Sequence, residues 1–285
     1  MQSNFGQRFT RTLGLGATMK RIILVILAGL ISVHSYAKVY TFGIVPQQSA
    51  SRLAQQWGPI LDHISAQTGH EIVFSTASDI PTFEKRLEQG DYDFAYMNPY
   101  HYSVYSEQTG YLAVAKAKDK LIKGIIVVRK DSGITSIEQL ANTTLAFPSP
   151  AAFAASILTR GALVQSEIPF EPEYVSSHDS VYLSVAKGFY PAGGGIFRTF
   201  NSLPAETRDQ LTPIYVTEGY TPHAIAVHTR VAEKTRQEVS QALYKLENDP
   251  VTLEQLSALN IKGFVPARDQ DWDDVRRLNI NLLSQ

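Results

Sequence analysis

The sequence predicts an α/β protein folded as two lobes. Short apolar runs alternate with amphipathic stretches, the pattern of βα units packed around a largely parallel sheet. The series of units restarts after Lys118, and 285 residues suffice for two medium domains.

In the first series, residues 39–45 read as a strand. The helix after it places Leu53, Trp57, Ile60, Leu61 and Ile64 on one face. Gly69 stands where a helix C-cap belongs. Strands are expected at 71–75, 92–97 and 111–117, with a short helix at Phe83 and Leu87 and another over 99–108. The second series opens with a strand at 121–129 and a helix capped by Ser136. A strand at 143–147 leads to a helix opened by the Ser149-Pro150 pair and running to about residue 164. A short strand at 174–175, a helix over 178–187 and a strand ending at 191–195 follow. Further strands are expected at 211–216 and 223–227, then helices over 232–248, 252–259 and 271–283. The chain is expected to cross between lobes near 118–123 and 218–223. One lobe would then comprise 38–120 plus 222–285, and the other 121–221.

Composition excludes several functions. The formal net charge is −1, leaving no basic surplus to neutralise a nucleic-acid backbone. No cysteine is present, so disulfides, thiolate nucleophiles and Cys-based zinc sites are ruled out. The histidines and acids show no metal-ligand spacing. Gly193-Gly194-Gly195 lacks the lysine of a phosphate loop and the spacing of a dinucleotide fingerprint, so no cofactor is expected. It reads instead as a loop bringing backbone close to a ligand. Gly-x-Ser-x-Gly is absent and no nucleophile–base pair stands out, which speaks for binding without catalysis. Met19-Lys20-Arg21, the apolar run 22–33 and the small residues Ser35 and Ala37 form a secretory leader cleaved after Ala37, residues 1–18 being dispensable to it. With no cysteine after that run, a soluble periplasmic protein is expected, not a lipoprotein.

Four segments agree in order and spacing with a known family. They are residues 42–48, residues 91–100, residues 126–134 followed by Ile137-Glu138-Gln139-Leu140, and Ser177-His178-Asp179-Ser180 followed by Ala186-Lys187-Gly188. Through them the mature chain resembles the phosphonate/phosphite/phosphate substrate-binding proteins of ABC transporters over nearly its whole length. The resemblance implies a two-lobed type II periplasmic-binding fold, hinge strands, an interlobe cleft and closure by hinge bending. In phosphonate-binding members a Ser/Thr-rich turn at a helix start holds the anion. Here the turn reads Phe147-Pro148-Ser149-Pro150-Ala151-Ala152-Phe153, and an acidic residue usual near the end of the next strand is replaced by Pro191.

The candidate ligand-binding residues follow. Ser149, Ala151 and Ala152 would offer backbone N–H groups and the positive end of a helix dipole to an anion, although Ser149 reads equally as a simple cap. His178 would donate to an oxyanion or else serve as a helix-start residue. Arg198 would fork onto a carboxylate or oxyanion, or form a surface ion pair. Asn98 and Tyr100 come from a polar aromatic cluster at a strand end, where open α/β sheets bind ligands; in that cluster Tyr96 is expected in the core and His101 in solvent. Gln48, with Gln47 beside it, stands at the first strand end. The expected ligand is small and anionic, bulkier or less charged than phosphonate. The expected partner of a monomeric protein is an ABC permease or, alternatively, a sensor kinase.

Overall fold

The computed structural model describes residues 1–2 and 38–283, so the expected leader and its cleavage point lie outside the described residues. In chain order the strands are β1 (Val39–Ile44), β2 (Glu71–Ser75), β3 (Phe94–Met97), β4 (Tyr111–Ala117), β5 (Gly124–Arg129), β6 (Thr143–Phe147), β7 (Phe170–Tyr174), β8 (Ala192–Ile196), β9 (Leu211–Val216), β10 (Ala224–His228) and β11 (Phe264–Pro266). They form two sheets, ordered β11-β4-β10-β3-β1-β2 and β7-β6-β8-β5-β9.

Both sheets are mixed rather than parallel throughout. β1 runs parallel to β2 and β3, but β10 inserts antiparallel between β3 and β4. In the second sheet β6 is parallel to β7 and β8, and β5 is antiparallel to β8 and β9. The antiparallel members β5 and β10 are the strands that enter directly from the other sheet. The two connecting segments pair with each other as they pass. Ile122 and Tyr220 exchange main-chain hydrogen bonds of 2.8 and 3.0 Å, and Thr217 N donates to Gly124 O at 3.0 Å.

The first sheet is packed by the helix Ala50–Thr68. Its apolar stripe of Leu53, Trp57, Ile60, Leu61 and Ile64 is buried, and Gly69 closes it with φ of 70°. Trp57 seats against Phe42 and Tyr96, with centroid separations of 6.1 and 4.8 Å.

The helix expected from Pro150 begins later. Ser149 to Ala152 form a turn closed by Ala152 N donating to Ser149 O at 3.3 Å, with Pro150 at the turn position that suits its fixed φ. A π-helical turn, Phe153–Leu158, precedes the α-helix Thr159–Gln165. The Ala152 carbonyl accepts from both Ser156 N (2.7 Å) and Ile157 N (3.3 Å), which widens the turn. This turn lies directly on the sheet because of two glycines. A Cβ on Gly194 would stand 1.9 Å from Ala155 O, and one on Gly124 would stand 2.1 Å from Ala154 O. The triple glycine is thus a buried strand, β8, rather than the loop expected.

The last helix is also shorter than expected. After a 3-10 turn, Asp269–Trp272, only Asp273–Arg276 is α-helical, and Asn279 at φ 50° lies just beyond it. The edge strand β11 was not anticipated, because three residues ending in proline carry no readable period.

Candidate functional site

Between the two sheets lies a narrow cavity of about 10 Å³, room for about one water. Its polar lining is Gln47, Asn98, His178 and His223. Val45, Ile80, Ile122, Phe153 and Ile196 supply apolar walls, and Ala152, Ala154 and Ala155 complete it. The first sheet contributes Gln47 and Asn98 from the loops that follow β1 and β3. The second contributes His178 from the start of the helix His178–Ala186 and the alanines from the π-helical turn.

Asn98 performs two tasks. Its Oδ1 accepts from His101 N at 2.8 Å and so caps the helix Pro99–Gln108. Its Nδ2 donates to Ala151 O at 3.1 Å, a bond that links the two sheets. His101 is fully buried, not solvent-facing as expected. Its Nε2 lies 3.0 Å from Glu84 Oε1 and 3.0 Å from Asn98 Nδ2. A ring nitrogen that donates to the carboxylate cannot also accept from the amide, so the Asn98 amide is left to Ala151.

Gln47 connects three groups. Its Oε1 accepts from Arg198 Nη2, which fixes the amide orientation. Its Nε2 then points at His223 Nε2, 3.1 Å away, which must accept; His223 therefore carries its proton on Nδ1. Burial, and secondarily Arg198, holds the His223 pKa well below its ordinary value. His223 also stacks on Tyr96 at 4.8 Å with planes 12° apart. The His178 pKa is pushed down to about 3, again by burial and then by Arg198, and its Nδ1 sits 3.5 Å from Thr199 Oγ1. Both cavity histidines are thus neutral near pH 7, each carrying one N–H. The first N–H groups of the turn at Phe153 have no intrahelical partner and add further donors. The arrangement suits an oxygen-rich group held by neutral donors.

The structure brings together Asn98, Ala152 and His178 in the cavity wall, with the Ala151 carbonyl tied to Asn98. Arg198 is 8% exposed and lies 5.9 Å from the Tyr96 ring centre, so the surface ion-pair alternative fails. Ser149 is buried beside the turn with its hydroxyl unpartnered, outside the cavity lining and not as a helix cap. Gln48 is buried with its Nε2 unpartnered, and it is Gln47 that reaches the cavity. Tyr100 points elsewhere: its hydroxyl accepts from Leu283 N at 2.8 Å, in a surface depression shared with Val275 and Arg276. His223 was weighed in sequence only for metal spacing. Its one legible signal is a polar residue directly before the apolar run 224–227, at an expected lobe crossing.

Two mixed α/β sheets joined by paired crossing strands, with a small polar-lined cavity between them, are the build of the type II periplasmic-binding fold. The chain belongs to the family described as phosphonate periplasmic substrate-binding proteins of ABC transporters, whose model matches residues 42–272. Among solved structures, it is similar to a binding protein component of an ABC phosphonate transporter from Pseudomonas aeruginosa, with TM-score 0.79, 17% identity, and 85% of this chain and 86% of that one covered. It is similarly related to PhnD1 of Prochlorococcus marinus in complex with methylphosphonate, with TM-score 0.78, 20% identity and coverage of 85% and 99%. Among curated relatives, the tetrathionate sensor histidine kinase TtrS of Salmonella typhimurium is 24% identical over 166 residues, 55% of this chain and 28% of the kinase. The phosphate-import protein PhnD of Mycolicibacterium smegmatis is 22% identical over 179 residues, 56% of each chain. The chain thus spans about half or less of the length of these two relatives.

Proposed function

We propose that this protein is exported, captures a small anionic ligand between two lobes, and hands the closed complex to an ABC permease without transforming the ligand. The lobes in this reading are 38–120 plus 222–285 and 121–221. The observation that carries it is the convergence, from both sheets, of amide, imidazole and helix-start N–H donors on one small cavity with no acid among its lining residues. A carboxylate there would repel an anion. Neutral donors bind one without the desolvation cost of a buried ion pair. Closure rests on bonds between the lobes: Asn98 to Ala151 O, Arg198 to Gln47, and Arg52 to Ser202 O. Ligand contacts made only when these form shift the population toward the closed state.

A second reading, a sensory protein presenting its ligand to a membrane receptor, is favoured by the similarity to the tetrathionate sensor. Both readings share the ligand chemistry. A thermal-shift screen of phosphate, phosphite, methylphosphonate, tetrathionate and small carboxylates tests it. A ligand at a hundred times its dissociation constant adds about 2.7 kcal/mol of stability. A screen in which only neutral or cationic compounds raise the melting temperature overturns the reading.

A further inference from the structure

Beside the inner cavity, against the crossing segments, lies a second and larger pocket of about 230 Å³. The two share Ile122, Ile196 and His223, so one wall separates them. Their charge differs sharply. The inner cavity holds only neutral donors, while the outer pocket is lined by Lys120, Lys123 and Arg198 with no acid. Among the described residues, none of these three cations forms an ion pair. Arg198 is buried and bonded to a neutral amide oxygen. Asp179 lies near enough to feel its field but makes no ion pair with it. Lys120 donates to the main-chain carbonyl of Asn260, and its pKa is lowered to about 8 by burial and then by Arg198.

Buried cations normally find a carboxylate, because an isolated charge in a low dielectric is costly. Here buried Arg198 and half-buried Lys120 stand together on the wall of an open pocket, and among the described residues neither forms an ion pair. We propose that this pocket is a second anion subsite, in which Arg198 and Lys120 hold a carboxylate or similar anionic group at the far end of the ligand. The ligand class is then an elongated dianion: one oxyanion head among the neutral donors of the inner cavity, a short apolar middle past Tyr96 and Ile196, and a second anionic group in the outer pocket. Lys123, on the same wall, adds field without needing contact. This inference rests on the proposed capture of an anion in the inner cavity.

Matched pairs test it by titration calorimetry: propylphosphonate against 3-phosphonopropionate, and butyrate against glutarate. Each pair differs only in the terminal carboxylate. The doubly charged member is expected to bind about tenfold or more tightly, the yield of one well-formed charge-assisted contact. In Lys120→Gln that ratio should collapse toward one, while the singly charged member keeps its wild-type affinity. Lys120→Arg should restore the preference. If a singly charged compound binds and the second carboxylate adds nothing, the outer subsite is refuted and the inner one stands. A preference that survives both Lys120→Gln and Lys123→Gln also refutes the subsite. If none of the four compounds binds while phosphate, phosphite or tetrathionate does, the outer subsite is refuted and the capture reading stands; if no anion of either set binds, both fall.

Discussion

Acidification tests the burial of His178. Its pKa in the folded protein is about 3, against an ordinary 6.5. Through mildly acidic pH the folded state therefore leaves this ring neutral while the unfolded chain protonates it. The sign follows: the contribution is fully present above about pH 6.5 and is lost as pH falls toward 3. Between about pH 8 and about pH 5 the loss from this group is about 2 kcal/mol, at roughly 1.36 kcal/mol for each unit below 6.5. His223, held low by the same burial, adds a loss of the same sign. Urea unfolding followed by circular dichroism at the two pH values measures the wild type and His178→Gln. Other titrating groups cancel in the comparison. The variant should lose about 2 kcal/mol less than the wild type on acidification. Equal losses in the two proteins would mean that His178 is solvated or charged, and the assignment of neutral donors to the cavity would fall with it.

Two further outcomes follow from the packing between the sheets. Gly194→Ala places a methyl 1.9 Å from Ala155 O and 2.7 Å from the Phe147 ring, so the π-helical turn must lift from β8. A loss of about 1–3 kcal/mol or more in urea unfolding is expected, and a neutral effect would contradict the contact. Asn98→Asp keeps the cap on the helix Pro99–Gln108 but turns the donor facing Ala151 O into an acceptor. Small-angle scattering of the ligand-free variant should report a larger radius of gyration than the wild type, whereas Asn98→Ala should in addition lose about 1 kcal/mol of cap stability. An unchanged radius in Asn98→Asp removes Asn98 from the closure contacts.

Much of the fold was legible because it is periodic. The stripe from Leu53 to Ile64 and the left-handed stop at Gly69 are local signals, and they hold. Pro150 misled for a local reason: proline suits the second position of a turn as well as the first of a helix, and the shared Ala152 carbonyl that delays the helix is not written in residue type. The triple glycine was read as a loop approaching a ligand, whereas it is a strand approached by neighbouring backbone. The approaching partner, the Ala155 carbonyl, comes from another element and is invisible to a linear reading. Within the site, Asn98, His178 and Ala152 were readable from strand ends and helix starts. Gln47 against Gln48 was not, because both follow the last residue of β1, where alternation no longer says which side chain faces inward. Tyr100 failed for the opposite reason: one residue of helical rotation past Pro99 carries it to the other face.

The bond from Arg198 to Gln47 divides the kinetics of capture between two states. In the closed molecule the guanidinium is engaged with an amide oxygen of the opposite lobe and shielded from water. On the proposed reading, parting the lobes breaks that contact and exposes the positive charge to the ligand's approach. A diffusing anion meets the open form, so its arrival is hastened by a field that fades with added salt. On the same reading its departure is governed by the closed form, where the inner end of the ligand is shielded from bulk ions. Salt should therefore slow loading far more than it speeds release.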